Sequence, residues 1–344
     1  MTDFEKGVAP LPKFELVEPR SLQEACRFLS EKGTQTKIIA GGTDILVRMK
    51  QRLLAPHYLL NIKSIPSMKY ILSDSNADLR IGALVTLDEI ASSKAILEGW
   101  PVLCEAVQRV AAFQHRTRAT IGGNVCLDTR CWYYNQALTW RLSRPFCFKM
   151  GGHCCHVVKR GTTCFALFSA DSVPVLIALG ARVKISASEG ERVLPLREFY
   201  TGEGRSITRL EANELLTEII LPAIPRRCGA VYEKYAMRSS LDFPLVGTAV
   251  FISLSEKDDS CSDVRIVFTG VSSGPVEACE TGAMLRGAKL TEAAIARAGE
   301  SAAKEIKIFS STYCPSDHRR RILEASTQRA LTAAFQRARK GSIL

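Results

Sequence analysis

The sequence predicts an α+β protein built in more than one unit, and three observations carry that expectation. At 344 residues the chain exceeds what one ordinary hydrophobic core organises. Up to about residue 225 short apolar runs alternate with capped helical segments, whereas beyond it the runs lengthen and alternate apolar with polar. Those later runs, "AVYEKYAM", "LVGTAVFISLS" and "DVRIVFTGVSS", read as a sheet bounded by turns, and helical stretches follow them. Strands first and helices after is the pattern of a sheet covered on one face.

In chain order, "SLQEACRFLSEKG" has Ser21 with Glu24 three residues on, the spacing of a capping box, and closes at Gly33, so a helix is expected there. "TKIIA" reads as a buried strand emptying into "GGTD", and "VRMKQRL" resumes helical spacing. A proline and the apolar run "HYLLNI" place a unit boundary near residue 57. Beyond it, "MKYILSDSNADLRIGALVTL" reads as two strands around a polar turn, and Thr86 with Glu89 makes a second capping box. "WPVLCEAVQRVAAF" carries helical spacing and leads through the basic "QHRTRA" into "TIGGN". "SADSVPVLIALGARVKISA" and "ERVLPLREFY" read as a buried helix followed by strands. The closing "TEAAIARAGESAAKEI" and "DHRRRILEASTQRALTAAFQRARK" are helical. The units expected are residues 1–57, 58–225 and 226–344, with no internal repeat.

A hydrophobic content of 46% with 24% charged residues is that of a globular protein. The start has no cationic stretch leading into an apolar run, and about 18 consecutive apolar residues occur nowhere, so neither export nor a membrane span is expected and the cytoplasm is the default. In a reducing compartment, twelve cysteines point to metal or cluster ligation rather than disulfides. The net charge of +11 admits nucleic acid, an anionic ligand or an acidic partner. The basic residues are scattered, with only short runs such as "HRRR", and aromatics do not interleave with them. A solvated basic surface is therefore expected, and no nucleic acid.

"IIAGGTDI" matches neither the dinucleotide fingerprint nor a Walker loop. Its glycines still let a ligand approach the backbone closely, and successive N–H groups beside Thr43 suit an anion nest; a plain tight turn is the alternative. "TIGGN" repeats the device farther on, and together the turns suit a pyrophosphate held from both sides. That second turn runs directly into thiols: Cys126, Cys131, Cys147, Cys154, Cys155 and Cys164 are six of the twelve cysteines. A loop this long is usually functional or disordered, and bound metal supplies order that a core does not. The thiols admit an iron–sulfur cluster, a zinc ion shared with His153 and His156, or free buried cysteines, and their spacing does not choose.

The order "KIIAGGTDI", "TIGGN", "SADSVPVLIALGA", with "KYAMRSSLDFPLVG" later, resembles the FAD-binding subunits of the molybdenum hydroxylases, the group that includes xanthine dehydrogenase and carbon monoxide dehydrogenase. The likeness covers essentially the whole chain. It implies a two-lobed FAD-binding domain of the PCMH/vanillyl-alcohol-oxidase type, with lobes 1–57 and 58–225, and a C-terminal α+β domain of the CO dehydrogenase flavoprotein type. By that likeness Ile38, Ile39, Ala40, Gly41, Gly42, Thr43, Asp44 and Ile45 wrap the pyrophosphate and ribityl chain together with Thr120, Ile121, Gly122, Gly123 and Asn124. Asp171 would bind ribityl hydroxyls and Lys234 would lie near the flavin ring.

In ordinary members of that family the second turn runs within a few residues into the "SD" or "AD" segment, so residues 126–168 read as an insertion. "DTRCWYYNQ", "FCFKMGGHCCHV" and the last cysteine before "SAD" resemble the β subunits of 4-hydroxybenzoyl-CoA reductases, which carry an additional 4Fe-4S cluster. This implies Cys131, Cys147, Cys155 and Cys164 as ligands, with Cys154 contending for the place of Cys155 and Cys126 a small buried residue. Trp132 would shield the cluster or touch the flavin. The resemblance further implies an electron-transfer subunit with no catalytic residue of its own. Its partners would be a molybdopterin-binding large subunit and a 2Fe-2S small subunit in a dimer of heterotrimers, with a ferredoxin-like carrier outside. The rivals are a conventional hydroxylase of an aromatic, heterocyclic or steroid substrate, a stand-alone flavin oxidase, and an iron–sulfur nucleic-acid binding protein.

Overall fold

The computed structural model of the protein describes residues 11–73 and 78–340. The first lobe comprises β1 (Glu15–Val17), α1 (Leu22–Lys32), β2 (Thr36–Ile39), α2 (Ile45–Lys50) and β3 (Tyr58–Asn61). Its sheet is parallel in the order β1-β3-β2. Because β3 lies between the other two strands, Tyr58–Asn61 belongs to this sheet and the expected limit at residue 57 falls short of it. Parallel neighbours pair through a crossover, which leaves no local mark in the sequence. At the start of α1 the Ser21 hydroxyl accepts from the Glu24 N–H at 3.1 Å. The Glu24 carboxylate, however, reaches past Ser21 to the N–H of Arg20 at 2.8 Å, so only half of the expected box forms.

The second lobe follows with β4 (Ile71–Leu72), β5 (Leu79–Gly82), α3 (Leu87–Ser92), α4 (Lys94–Gly99), α5 (Pro101–Gln108), α6 (Phe113–Arg116) and α7 (Ile121–Val125). It continues through α8 (Leu138–Leu142), α9 (Ser172–Ala178), β6 (Arg182–Ala187), β7 (Gly190–Pro195) and β8 (Leu215–Leu221). The sheet is antiparallel in the order β4-β5-β8-β6-β7. Part of the polar turn expected between β4 and β5, residues 74–77, lies outside the described residues. The Thr86 capping box is complete, with the Glu89 carboxylate accepting from the Thr86 N–H at 2.9 Å. Every residue of α9 is buried; all but Ser172 are apolar, and the Ser172 hydroxyl donates to the Asn124 side-chain oxygen at 2.6 Å.

The C-terminal domain comprises β9 (Cys228–Tyr235), β10 (Val246–Leu254), β11 (Cys261–Thr269), β12 (Val276–Glu277), α10 (Cys279–Leu285), α11 (Glu292–Glu305) and α12 (Ser316–Lys340). The sheet runs β12-β11-β10-β9 and is antiparallel. Side chains alternate across it. Tyr232, Ala249, Phe251 and Val267 enter the large core of the second lobe, whereas Val231, Val250, Ile252 and Phe268 enter the core beneath α11 and α12. This division explains why all of β10 is buried: the sheet is sandwiched between α9 on one side and α12 on the other. A Cβ on Gly229 would stand 2.1 Å from the Ala334 carbonyl oxygen, so the glycine admits α12 against β9. The sandwich rigidly joins the last domain to the second lobe, and two residues of β9, Tyr232 and Lys234, are thereby fixed against α9.

Candidate functional site

The two glycine turns wall one cleft of ≈ 1970 Å³, its open mouth included. Ile38, Ala40, Gly41, Gly42, Thr43, Asp44 and Ile45 line it from the first lobe. Thr120, Gly122, Gly123, Asn124 and Asp171 line it from the second. Ile39 and Ile121 do not: Ile39 packs with Met49 and Leu59, and Ile121 is wholly buried in the large core. Strand alternation puts Ile38 toward the cleft and its neighbour away from it.

The turns differ in what they offer. In the first, Gly42 has φ of 76°, a left-handed conformation natural to glycine. A Cβ on Gly41 would stand 2.0 Å from the Arg118 carbonyl oxygen, so the first turn abuts the lead-in to the second and the two walls meet. Among the described residues, the N–H groups of Gly42, Thr43, Asp44 and Ile45 donate to no protein acceptor. Four successive donors without a protein acceptor are the backbone arrangement that suits an anion. The second turn has folded into α7 and spends its donors internally. Ile121 and Gly122 donate to the carbonyls of Val85 and Ala83 at 2.9 and 3.0 Å, and Gly123 donates to the Thr120 hydroxyl at 3.1 Å. The expectation of donors from both sides is therefore corrected: the second turn supplies a side-chain-free wall, and the first supplies the N–H groups.

Asp171, 3% exposed, closes the deep end of the cleft. Its carboxylate accepts from the Tyr232 hydroxyl at 2.6 Å and from the Lys234 ammonium at 2.9 Å. Burial raises its pKa from 3.8 to about 6, with Lys234 and Tyr232 opposing the rise. Lys234 does not line the cleft; it is spent on Asp171 and on the carbonyls of Arg109 and Asp242, both at 2.8 Å. A proton bound more tightly in the folded state makes Asp171 stabilising below pH 3.8, and this contribution is lost as pH rises through about 6. Lys234→Met strands the carboxylate and pushes its pKa higher still. The variant should lose about 3–5 kcal/mol at neutral pH, and the loss should shrink as pH falls toward 4. Urea unfolding at pH 5 and pH 8 checks the sign.

In the sequence, the segment between β9 and β10 stands out only as part of the family likeness, with no place in the site. Arg238, Leu241, Asp242 and Phe243 reach over the cleft, and the Arg130 guanidinium stands 5.3 Å from the Phe243 ring centroid. The only signal was an exposed aromatic and a cation set among turn residues. His115, Val110 and Ala111 also line the cleft and were missed, the basic linker having been read as a connection.

The inserted thiols surround a second, much smaller pocket of ≈ 300 Å³, its open mouth included, lined by Cys131, Cys147, Cys154, Cys155 and Cys164 with His156, Tyr133, Tyr134 and Lys149. Paired backbone bonds between Arg130 and Leu167, at 2.7 and 2.8 Å, close the base of the loop. Buried Arg141 ties it to the first lobe through the carbonyls of Gln51 and Arg52, at 2.8 and 2.9 Å. Burial pushes the Cys164 thiol up to about 11, opposed by the Ala166 N–H and Lys149. Cys131 is likewise raised by burial and drawn back by the N–H groups of Tyr134 and Tyr133. Cys154 donates its S–H to the Phe146 carbonyl at 3.4 Å, and Cys126 lines the flavin-sized cleft instead, its thiol pushed up to about 12 by burial. Trp132 lines neither cavity; it is 47% exposed and stacks edge-on against Tyr133 and Trp140. Among the described residues no three His, Cys, Asp or Glu side chains gather as they would around a single ion.

Residues 12–224 match the family described as the FAD binding domain in molybdopterin dehydrogenase, and residues 231–334 match the CO dehydrogenase flavoprotein C-terminal domain. The chain belongs to the FAD-binding subunits of the molybdenum hydroxylases. This flavin subunit is 27% identical to the carbon monoxide dehydrogenase medium chain of Hydrogenophaga pseudoflava, over 95% of this chain and 98% of that one. It is 26% identical to the 6-hydroxypseudooxynicotine dehydrogenase complex subunit alpha of Paenarthrobacter nicotinovorans, over 95% and 96%. Among solved structures, carbon monoxide dehydrogenase from Hydrogenophaga pseudoflava superposes with a TM-score of 0.79 at 27% identity, covering 96% of this chain and 99% of that one. Quinoline 2-oxidoreductase from Pseudomonas putida 86 gives 0.76 at 25%, with 96% and 99% covered. The flavin subunit is thus part of an oxidoreductase with FAD as its cofactor, and the free N–H groups facing a Cβ-free wall fit a dinucleotide's pyrophosphate. No helix among the described residues is long and apolar enough to cross a membrane.

Proposed function

We propose that the subunit is an electron relay between an external one-electron carrier and the partner subunits of a molybdenum enzyme, passing through a 4Fe-4S cluster on the inserted loop and FAD in the cleft. The observation that carries this reading is that five of the six inserted cysteines line one cavity, beside the cleft wall to which Asp128 and Arg130 tie the loop. A cubane fits the donor set. Each of its four thiolates binds its own iron at a separate corner, so no three side chains need to gather around one ion. The ligands in this reading are Cys131, Cys147, Cys155 and Cys164, and the hydrogen bond from the Cys154 S–H to the Phe146 carbonyl favours Cys155 over its neighbour.

The cluster supplies one-electron redox chemistry and the flavin accepts one or two electrons. The chain's own residues do the rest. The first glycine turn would bind the pyrophosphate, Asp171 and Lys234 hold a fixed polar pair at the cleft wall, and Arg238, Leu241, Asp242 and Phe243 line its open side. The 2Fe-2S and molybdenum centres belong to a small and a large partner subunit, in a dimer of heterotrimers located in the cytoplasm. The thiol motifs favour a complex like 4-hydroxybenzoyl-CoA reductase. A conventional hydroxylase is the second reading, supported by near-equal identities of 27% and 26% to relatives whose names give different substrates.

Charge supports the carrier's identity. Residues 126–168 contain six cations, of which Arg141 and Lys149 are buried, against the single acid Asp128, and Trp132, Leu142 and Phe146 are exposed on the same loop. An acidic ferredoxin-like protein is the complementary donor. The complex should exchange electrons with such a carrier faster than with NADH, at a rate that falls as ionic strength rises. Stopped-flow reduction with each donor at low and high salt tests this. Fast, salt-independent reduction by NADH in cluster-free protein would defeat the relay.

A further inference from the structure

Lys149 is the one formally charged side chain lining the thiol cavity. Its side chain is only 5% exposed. All three ammonium protons are directed: to the Asp128 carboxylate at 2.8 Å, the Thr129 hydroxyl at 2.7 Å and the Thr129 carbonyl at 3.2 Å. The Tyr134 ring centroid stands 5.1 Å from the same nitrogen. A buried ammonium with its protons so distributed cannot swing out to solvent, so its charge is fixed at the wall of the thiol cavity, near enough to offset part of the rise that burial gives the pKa of the Cys164 thiol.

That charge is not cancelled by its partners. Asp128 also pairs with Arg48 at 2.5 Å, Arg48 pairs with Asp44 at 3.6 Å, and Asp44 pairs with Arg130. The network therefore holds three cations, Arg48, Arg130 and Lys149, and two carboxylates, Asp44 and Asp128. One positive charge is in surplus, and its cavity end is Lys149. The other end is Arg130, and it lines the flavin cleft together with its partner Asp44 of the first glycine turn.

A cluster with four thiolate ligands carries net negative charge that grows by one electron on reduction, and its potential follows local charge and hydrogen bonding. A cation buried beside it favours the more negative state, and in a low-dielectric pocket this effect is only weakly screened. Resting on the reading that the loop holds a 4Fe-4S cluster, we propose that Lys149 is the positioning residue that sets the cluster's reduction potential, with Asp128 as the counterweight that tempers it.

The two residues predict opposite shifts. In the anaerobically purified complex, Lys149→Met should lower the cluster's midpoint and disfavour reduction at least tenfold, about 59 mV for a one-electron couple. Asp128→Asn removes the opposing carboxylate and should raise the midpoint. Lys149→Arg keeps the charge and should restore most of the Lys149→Met shift. Midpoints are read by EPR-monitored redox titration, with iron and FAD assayed on the same samples. A purely structural clamp would lower iron content in both the Lys149→Met and Asp128→Asn variants and leave the midpoint of the remaining clusters unchanged, and that result overturns the proposal. If Lys149→Met fails to retain iron, Asp128→Asn alone decides: a raised midpoint supports the proposal and an unchanged or lowered one overturns it. Wild-type complex with FAD but no iron on this chain overturns the cluster reading itself, and the iron assay separates that failure from the other.

Discussion

Gly42→Val should give a folded chain that no longer retains FAD. The native φ of 76° is left-handed, and a non-glycine residue held there costs about 1–3 kcal/mol, with β-branched valine among the worst placed. A Cβ at Gly42 would also press on the end of the Leu46 side chain at 3.2 Å, but the backbone conformation is the main obstacle. The turn must therefore shift, and the N–H groups of Gly42, Thr43, Asp44 and Ile45 lose their common aim. Each hydrogen bond to a charged group is worth about 1.5–3 kcal/mol, so losing two weakens binding by roughly a hundredfold or more. Gly287→Val is the control, since Gly287 has φ of 77°, has open space around it and does not line the cleft. Flavin absorbance after gel filtration gives the answer. Equal FAD in both variants would remove the nest from the site, and equal loss would reduce the effect to general instability.

Gly123 separates the two turns further. A Cβ there would meet only the Thr120 hydroxyl at 3.1 Å, and the Gly123 N–H is already satisfied by that hydroxyl. A valine at 123 acts by occupying cleft space rather than by removing a donor, so a milder loss of FAD is expected than at Gly42. This inequality was illegible in the sequence, where both turns read as a glycine pair. What differs is the backbone's other partners: the carbonyls of Ala83 and Val85, which take the donors of the second turn, come from a distant part of the chain.

The same physics sorts the rest. Local signals were sound where the stabilising partner is local: Thr86 and Glu89 cap one another within a single turn, and the strand Thr36–Ile39 forms where expected and leads into the first glycine turn, although Lys37 is exposed and only its ends are buried. They failed where the partner is remote. The place of β3 between β1 and β2 depends on pairing across the whole lobe, and the position of Phe243 over the cleft depends on how the sandwiched sheet sits against α9. Lys149 lay in plain view among the thiols, but its significance needs Asp128 and Thr129 brought round it, which only the closed base of the loop achieves.

The anaerobic complex should contain about four iron atoms beyond those of its partner subunits, and single serine substitutions should divide the six inserted cysteines four to two. Cys131→Ser, Cys147→Ser, Cys155→Ser and Cys164→Ser should each lose most of that iron, because an alkoxide is a poor substitute for a thiolate on iron. Cys126→Ser should keep it, since that side chain lines the flavin cleft rather than the thiol cavity. Cys154→Ser should also keep it, because the serine hydroxyl can take over the hydrogen bond to the Phe146 carbonyl. FAD should remain in all six variants, for the nest of the first turn owes nothing to the loop's sulfurs. Loss of the cluster should instead expose residues 131–164 to protease, the order of that segment depending on ligation more than on a core. Iron lost from Cys154→Ser and kept in Cys155→Ser would exchange those two residues. Zinc in place of iron, in protein produced with iron in excess, would end the relay and return the loop to a structural role.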